Sequence, residues 1–470
     1  MTRSLQLHPD RLFPADPATR AIARSLYDGV KNLPIISPHG HTDPAWFATD
    51  APFSGPASLL IVPDHYVFRM LMSQGVPLDA LGVPTADGSP VESDPRTIWR
   101  LFAGHYHLLR GTPSRMWLDW VFAEIFGLDV ILEPATADHY FDTIDAALKT
   151  DAFRPRALFE RFGIELIATT ESPLDPLEHH RTIRESGWTG RVVTAYRPDP
   201  VVDPEGEGFA ANVRIFCTAA GADAGSWDGY LAAHRFHRAR FREAGATSTD
   251  HGHPSAATAN LLEADAAALY ARVMAGSDAA DAELFRAQVL TEMARMSIDD
   301  GMVMQLHPAV YRSHNAAVLA RFGRDKGGDI PLPGEFVRAL KPLLDLFGND
   351  PRLTLILFTL DEDVYSRELA PLAGHYPALR LGPPWWFHDS PEGMRRFRER
   401  TTEAAGFYNS VGFNDDTRAF LSIPARHDVA RRMDCAWLAQ LVAEHRLPED
   451  EAHEVARALA YDLVKAAYKL

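Results

Sequence analysis

Eight short apolar segments, each separated from the next by a helical pattern, constrain the fold more than any other feature of this sequence. They are LPII (33–36), GIELIATT (163–170), RVVTAY (191–196), GATSTDHG (245–252), MVMQLH (302–307), LTLILF (353–358), ALRLG (378–382) and NSVGFND (409–415). Strands that alternate with helices are typical of βαβ units and a parallel sheet. Eight such units favour closure of the sheet, so the pattern predicts an α/β fold of the (β/α)8 TIM-barrel type.

The stretch from residue 51 to about residue 160 has a different character. It contains helical segments broken by turns such as GVPTADGSP, many aromatic residues and no strand signal of any length. We interpret it as a mostly helical insertion after the first strand. A length of 470 residues would allow several domains, but α/β barrels often extend further as one unit. We therefore predict one domain over residues 1–470 that carries this insertion.

Charge and composition limit the partners of the chain. Lys and Arg number 47 against 63 Asp and Glu, a formal net charge of −16, and no basic stretch resembles a nucleic-acid surface. Residues 1–14 lack the apolar core of a signal peptide, and the longest apolar run, 353–360, is too short to span a bilayer. Cys217 and Cys435 lie far apart, as is typical of reduced core cysteines. We expect a cytoplasmic protein with no nucleic-acid or membrane partner.

Two histidines directly after the first predicted strand are the clearest local sign of chemistry. In LPIISPHGHTDP (33–44), His39 and His41 follow a short apolar run with only Gly40 between them. Alternate residues of an extended segment point the same way, so both imidazoles can face one divalent metal ion. Gly40 lets the backbone pass close to that point. The alternative is a polar turn that happens to hold two histidines, which is common for an isolated His-x-His.

The ends of the other predicted strands are also rich in polar residues. In a (β/α)8 barrel the carboxyl ends of the strands form the active site. Each residue has a simpler structural explanation, such as surface charge or helix capping, but their joint occurrence at strand ends favours a site. Two histidines with a carboxylate form a catalytic metal set that leaves positions open for water or substrate. The residues at these ends are Thr169, Thr170, Glu171, Arg197, Asp199, Asp250, His251, Gln305, His307, Trp385, Trp386, His388, Asp415, Asp416 and Arg418.

Six motifs, in the same chain order, resemble the uronate isomerases, also called glucuronate isomerases, a divergent branch of the amidohydrolase superfamily. The motifs are SPHGHTDP (37–44), DHYVFR (64–69), YRPDP (196–200), MQLHPAVYRSHN (304–315), WWFHDSPEGM (385–394) and NDDTRAFLS (414–422). The resemblance extends from about Leu12 to the end of the chain. It implies a distorted (β/α)8 barrel, one divalent metal ion, zinc in that family, and interconversion of D-glucuronate with D-fructuronate and of D-galacturonate with D-tagaturonate.

The resemblance also implies residue roles. The metal ligands would be His39, His41 and Asp416, and Asp416 would also be the catalytic base. The residues at the reacting carbons would be His65, Tyr66 and Arg418. Further substrate contacts in the matching motifs are Arg197, Gln305, His307, Arg312 and Trp386.

Some positions depart from the family pattern. The usual threonine before the catalytic aspartate is Asp415, and the usual asparagine after the double tryptophan is His388. Arg426 is poorly placed by analogy. The family's C-terminal arginine for the substrate carboxylate has no secure match, with Lys465 as a candidate. Two adjacent carboxylates thus compete for one role, and we expect Asp416 to take it because successive strand residues face opposite ways.

The chemistry of aldose–ketose isomerisation agrees with these residue types. A proton moves between C2 and C1 through a cis-enediol, which requires a base and hydrogen-bond donors at the carbonyl oxygen. Two alternatives remain open at this point. A metal-dependent hydrolase of the same superfamily, acting on a sugar-acid derivative, would use the same metal ligands to activate water. A non-catalytic sugar-acid-binding barrel would hold the metal for structure alone. For either enzyme we expect a small-molecule partner and a homo-oligomer.

Overall fold

The computed structural model describes residues 3–276 and 278–470; residues 1 and 2, the start of the N-terminal segment considered above, lie outside the described residues. Seven strands form one parallel sheet, and two more form a separate antiparallel pair. The strands are β1 (Ile35–Ser37), β2 (Ile164–Glu171), β3 (Arg191–Tyr196), β4 (Ser248–His251), β5 (Val303–Leu306), β6 (Val310–Tyr311), β7 (Ile330–Pro331), β8 (Leu355–Leu357) and β9 (Leu379–Leu381). The sheet order is β1-β2-β3-β4-β5-β8-β9, and β6 pairs with β7.

Helices connect the strands and cover the sheet. The α-helices are α1 (Pro17–Val30), α2 (Pro44–Thr49), α3 (Pro56–Leu60), α4 (His65–Met72), α5 (Pro95–His105), α6 (Pro113–Trp120), α7 (Ala137–Leu148), α8 (Pro155–Arg161), α9 (Glu178–Glu185), α10 (Asp199–Val202), α11 (Phe209–Ala219), α12 (Trp227–Glu243), α13 (Glu263–Ala275), α14 (Ala279–Asp300), α15 (Ala316–Phe322), α16 (Lys341–Phe347), α17 (Ala370–Ala373), α18 (Pro391–Ala405), α19 (Ile423–Ala443), α20 (Glu449–Arg457) and α21 (Leu463–Tyr468). Among the described residues, no helix combines the length and the apolar character needed to cross a bilayer.

Short helical turns lie between these helices. The 3₁₀ turns are Asp79–Leu81, Tyr106–Leu109, Pro134–Thr136, Asp151–Phe153, Trp386–His388 and Phe420–Ser422, and the π-helical turns are Val121–Ile125, Tyr365–Leu369 and Ala458–Asp462.

Aspartate caps fix where the helices near β1 begin. The Asp16 carboxylate accepts a hydrogen bond from the Thr19 amide and so starts α1. The Asp64 carboxylate accepts from the Tyr66 amide at 2.9 Å and so starts α4. Because this cap defines the first residue of the helix, it places His65 and Tyr66 in the first turn of α4.

Seven of the eight predicted strands are confirmed, with bounds that differ by a few residues. The exception is the segment 409–415, which makes a single bridge between Ser410 and Leu381. Gly412 and Asp416 have positive φ angles of 75° and 38°, so an extended ladder cannot continue through them. The prediction of a strand there is therefore wrong. Even so, the segment lies between β9 and β1, because the His41 amide donates to the Thr417 carbonyl at 3.1 Å.

The helical character predicted for residues 51–160 is confirmed, since α3 to α8 and short helical turns occupy the stretch. Its aromatic residues Trp99, Phe102, Tyr106 and Phe122 are fully buried, in a core that continues into the strands through Ile35 of β1, Ile167 of β2 and Val192 of β3. Elsewhere, the Ala-rich stretch 256–274 becomes helical only at Glu263, where α13 begins. The residues before it use their amides for other partners, as when the Thr258 amide donates to the Ala339 carbonyl.

Gly382, just after β9, leaves room for the ring of Phe358, which packs against a histidine at the carboxyl ends of the strands. A Cβ at this position would lie 2.5 Å from Cδ1 of Phe358. The Phe358 ring in turn stacks on His307, with 4.1 Å between ring centroids. A larger residue at 382 would therefore push Phe358 towards His307.

We predict that Gly382→Ala lowers the free energy of unfolding by about 1–3 kcal/mol because it overpacks the Phe358 ring. The matched control is Gly104→Ala in α5, where an added Cβ meets nothing within 4 Å. That variant should be neutral or more stable by up to about 1 kcal/mol, since alanine favours helix. Urea unfolding measures both. Equal effects of the two substitutions would contradict this description of the packing.

Candidate active site

The carboxyl ends of the parallel strands open into one cavity of about 1190 Å³. Strand and helix ends deliver the side chains that face it, since β1 leads to the two histidines and α4 begins at His65. Of the residues predicted for the site, those that line the cavity are His39, His41, His65, Tyr66, Arg197, His307, Arg312, Trp386, Asp416 and Arg418. The fold thus brings together side chains from across the chain.

Two histidine nitrogens approach one carboxylate oxygen. The Nε2 atoms of His39 and His41 lie 3.5 and 3.3 Å from Oδ1 of Asp416. Ligands about 2.0–2.2 Å from one tetrahedral ion would be about 3.3–3.5 Å from each other. Each of these two distances therefore fits a pair of ligands of one metal ion, but among the described residues the group of three with all ligand atoms within 4.8 Å of one another contains His307 in place of His41.

His307 is close enough to join this group. Ligand atoms of His39, His307 and Asp416 all lie within 4.8 Å of one another. The rings of His39 and His307 are stacked, with centroids 5.1 Å apart. From the motif we predicted His307 only as a substrate contact, whereas its position also allows a contact with a metal ion or its ligands.

The two adjacent aspartates face different surroundings. Asp415 points into the protein, where its Oδ2 lies 3.0 Å from Nε2 of His427. Asp416, at φ 38°, turns towards the histidines. Burial raises the pKa of the Asp416 carboxyl, but His39 and His41 lower it by more, so the pKa lies far below its ordinary value. Asp416 is therefore a carboxylate.

Asp250, which is fully buried, lies behind the cavity wall and contacts two of its residues. Its Oδ1 lies 2.8 Å from Nδ1 of His307, and its Oδ2 lies 3.0 Å from Nη1 of Arg197. Because the carboxylate is close to Nδ1 of His307, the Nε2 atom is left to face the cavity. One buried charge thus orients both an imidazole and a guanidinium.

Gln305 occupies a different place from the substrate contact that we predicted. Its side chain is fully buried and is not among the residues that line the cavity. Its Nε2 lies 3.4 Å from Nδ1 of His39, and its Oε1 accepts a hydrogen bond from the Tyr468 hydroxyl at 2.8 Å. Gln305 therefore supports a histidine from behind.

His65 and Tyr66 form an aromatic wall with Trp386. The Trp386 ring lies edge-on to both, with centroids 4.7 Å from His65 and 4.4 Å from Tyr66. Burial lowers the pKa of His65 to about 3, so its imidazole is neutral at physiological pH. Burial also raises the pKa of the Tyr66 hydroxyl well above its usual range. Tyr66 therefore keeps its proton and can donate a hydrogen bond.

Five arginines line the cavity, and three of them were predicted for the site. Each of these three is close to a carboxylate: Arg197 to Asp199 at 2.8 Å, Arg312 to Asp329 at 2.8 Å and Arg418 to Asp325 at 3.0 Å. Ten Asp and Glu residues line the same cavity, so the arginines are local positive groups on a surface that is not positive as a whole. Guanidinium groups bind carboxylates and sugar oxygens with directed hydrogen bonds, so these three side chains can contact substrate oxygens.

Several contacts could not be found from the motifs. Asp325 lies in a loop with no periodic pattern, so nothing in the sequence pairs it with Arg418. Lys465, considered for the substrate carboxylate, instead contacts Glu165 at 2.6 Å and does not line the cavity. His388 contacts the Leu360 carbonyl at 2.8 Å. For Asp250, the only sign in the sequence was its position at the end of a predicted strand.

Fold and side chains together define a class of protein, an α/β enzyme with its site at the carboxyl ends of parallel strands and a His/Asp group able to hold a metal ion. A family model described as glucuronate isomerase matches residues 17–468. A uronate isomerase from Rhizorhabdus wittichii is 69% identical over 467 residues, 99% of each chain. The chain therefore belongs to the glucuronate isomerase family, as the motifs predicted.

Solved structures agree with this assignment. The crystal structure of glucuronate isomerase from Caulobacter crescentus is 63% identical, with a TM-score of 0.98 over 99% of this chain and 98% of that one. A uronate isomerase from Thermotoga maritima is 25% identical, with a TM-score of 0.91 over 98% of this chain and 99% of that one. The chain thus shares its fold even with a relative in which only a quarter of the residues are identical.

The cavity is also lined by Glu171, a partly buried acid outside the proposed metal group, which gives a pH prediction. Burial raises the pKa of Glu171 to about 7, although Thr194 donates a hydrogen bond to it. A carboxyl with a raised folded pKa stabilises the protein at low pH, and this contribution is lost as the pH rises through about 7.

We predict that Glu171→Gln removes this loss. Relative to the variant, the wild-type free energy of unfolding should fall by up to about 3 kcal/mol between pH 5 and pH 8, measured by urea unfolding. Glu178→Gln, at an exposed position in α9, is the control and should follow the wild type. Parallel pH profiles for the wild type and Glu171→Gln would show that Glu171 is not the titrating group.

Proposed function

We propose that this uronate isomerase interconverts D-glucuronate with D-fructuronate and D-galacturonate with D-tagaturonate by proton transfer between C2 and C1. Membership of the family supports the isomerase activity. The observation that carries the mechanism is the position of Asp416, a partly buried carboxylate that shares one cavity with Tyr66, His65 and Arg418. A base and several donors around one small space are what an enediol reaction requires.

Asp416 is proposed as the base. Both histidine nitrogens approach its Oδ1, which leaves Oδ2 free to take the proton from C2 and return it to C1. The residues that would hold a divalent metal ion are His39, His41 and Asp416, with zinc as the proposed ion. When bound, that ion supplies positive charge that orients substrate oxygens.

The donors are proposed to stabilise charge at the carbonyl oxygen. Tyr66 and His65 are neutral at working pH and can donate without being titrated. Arg418 adds a fixed positive charge once substrate replaces its contact with Asp325. Such preorganised donors act where charge develops in the transition state.

The remaining wall residues are proposed to hold the substrate. Arg197 and Arg312 provide cationic contacts for its oxygens, and His307 is oriented by Asp250. Trp386 keeps Tyr66 in place by edge-on packing.

We also infer that the seven parallel strands and the segment 409–417 make a distorted (β/α)8 barrel in one domain over residues 1–470. Hydrogen bonds from the segment to both β9 and residue 41 of the β1 end support this closure. The helices between β1 and β2 would then be the insertion. A cytoplasmic location and a homo-oligomer stay predictions.

A hydrolase would need the metal to activate water and a scissile bond with a leaving group. The side chains around Asp416 are instead donors for an open-chain sugar acid. Family membership also favours isomerisation.

Turnover of D-glucuronate in deuterated water tests the mechanism. We expect ketose that carries solvent deuterium at C1, because the proton on Asp416 can exchange before it returns to carbon. The extent depends on how well the closed site excludes water. NMR of the product measures the label, and an incubation without protein is the control. Ketose that never contains solvent deuterium would contradict proton transfer through an exchanging base. Turnover of a lactone or amide without ketose would instead support a hydrolase.

A further inference from the structure

Arg426 lies beneath Tyr66 and has no place in the reaction described above. It belongs to α19, and its side chain is 0% exposed. The guanidinium carbon lies 4.7 Å from the ring centroid of Tyr66 and 3.7 Å from that of Trp117. Cations in such positions are attracted to the aromatic face. The positive charge of Arg426 thus lies against the ring of Tyr66, a proposed hydrogen-bond donor of the site.

Three contacts anchor Arg426 on the side away from Tyr66. Nη1 donates to the carboxylate of Asp389, which is itself buried, and to the Asp415 carbonyl at 3.3 Å. Nε donates to the Ser422 hydroxyl at 3.1 Å. These bonds come from three different segments and leave the guanidinium one orientation.

One nitrogen of Arg426 has no partner. Nη2 is buried and makes no hydrogen bond with any of the described residues. A buried donor without a partner is destabilising, and most buried polar groups are paired. The hydroxyl of Tyr66 is likewise absent from the hydrogen bonds among the described residues. Other buried arginine nitrogens, such as Nε of Arg431 and Nε of Arg240, also have no partner among the described residues, so what sets Arg426 apart is that its guanidinium lies against the ring of Tyr66.

We infer that Arg426, with Asp389 as its counter-charge, is a positioning residue for Tyr66. The guanidinium fixes the angle of the Tyr66 ring in the cavity and polarises its O–H, so that the hydroxyl is a stronger donor when charge develops on the substrate oxygen. This inference rests on the proposed isomerase mechanism. It predicts that changes at Arg426 act through Tyr66 and affect turnover more than substrate binding.

The test compares Arg426→Lys in the wild type and in a Tyr66→Phe background. Lysine keeps the charge but loses the planar fork. In the wild type we expect kcat for D-glucuronate to fall 10- to 100-fold, with KM changed less than threefold and metal content unchanged. In Tyr66→Phe, the residual kcat should fall less than threefold, because residues that act as a unit are not additive.

Arg398→Lys is the matched control. Arg398 is also buried and makes two bonds to one carboxylate, that of Asp434, at 2.7 and 3.0 Å, but its guanidinium lies against the ring of Phe397 and not that of Tyr66. It should lower the unfolding temperature and leave kcat within twofold of the wild type. A loss of kcat equal to that of Arg426→Lys would mean that replacing any buried arginine impairs turnover.

Asp389→Asn is the second variant, for the case that Arg426→Lys does not fold. It removes the counter-charge but keeps the shape, and its loss of kcat should also disappear in the Tyr66→Phe background. If the wild-type enzyme forms ketose, two results would overturn the role of Arg426. One is a loss of kcat in the Tyr66→Phe background as large as in the wild type, and the other is an effect mainly on KM. Absence of ketose with the wild type would contradict the proposed function itself.

Discussion

The approach of two imidazole nitrogens to one oxygen of Asp416 is the contact on which the rest of the site depends. It requires the end of β1 and the segment 409–417 to meet, and one backbone bond joins them directly: the His41 amide donates to the Thr417 carbonyl at 3.1 Å. On the β2 side, Thr170 Oγ1 donates to the Gly40 carbonyl at 2.9 Å. A Cβ added at Gly40 would lie 3.5 Å from the Thr417 carbonyl oxygen, which is an ordinary contact, so this approach does not itself require glycine.

Charge compensation behind the cavity makes this arrangement possible. Isolated buried charges are costly, so each needs a partner. Asp250 lies between Arg197 and His307, and Asp389 lies against Arg426. Protein groups, and not water alone, therefore balance the ionised groups around the cavity and keep them in fixed positions. A site of this kind does not need to reorganise when charge develops on a substrate.

Much of the fold and the site could be predicted because both follow local patterns. The apolar segments of β2 and β3 are long enough to identify strands, and a strand end places His39 and His41 on one side. The motifs identified Tyr66 and Arg418. The strand at 409–415 was predicted wrongly because Val411 and Phe413 alternate along it as in a strand, whereas positive φ angles are not visible in a sequence pattern. Contacts such as Arg418 with Asp325 join segments distant in sequence and have no local signal.

Metal content of the two neighbouring aspartate variants tests the central claim most directly. Purified Asp416→Asn and Asp415→Asn differ only in which adjacent carboxylate is neutralised, and elemental analysis after dialysis reports the metal bound per chain. We expect Asp416→Asn to lose most of its metal, because its Oδ1 faces both histidines. Asp415→Asn should keep about one equivalent, since Asp415 faces His427 instead. A full equivalent in Asp416→Asn together with loss in Asp415→Asn would contradict the account.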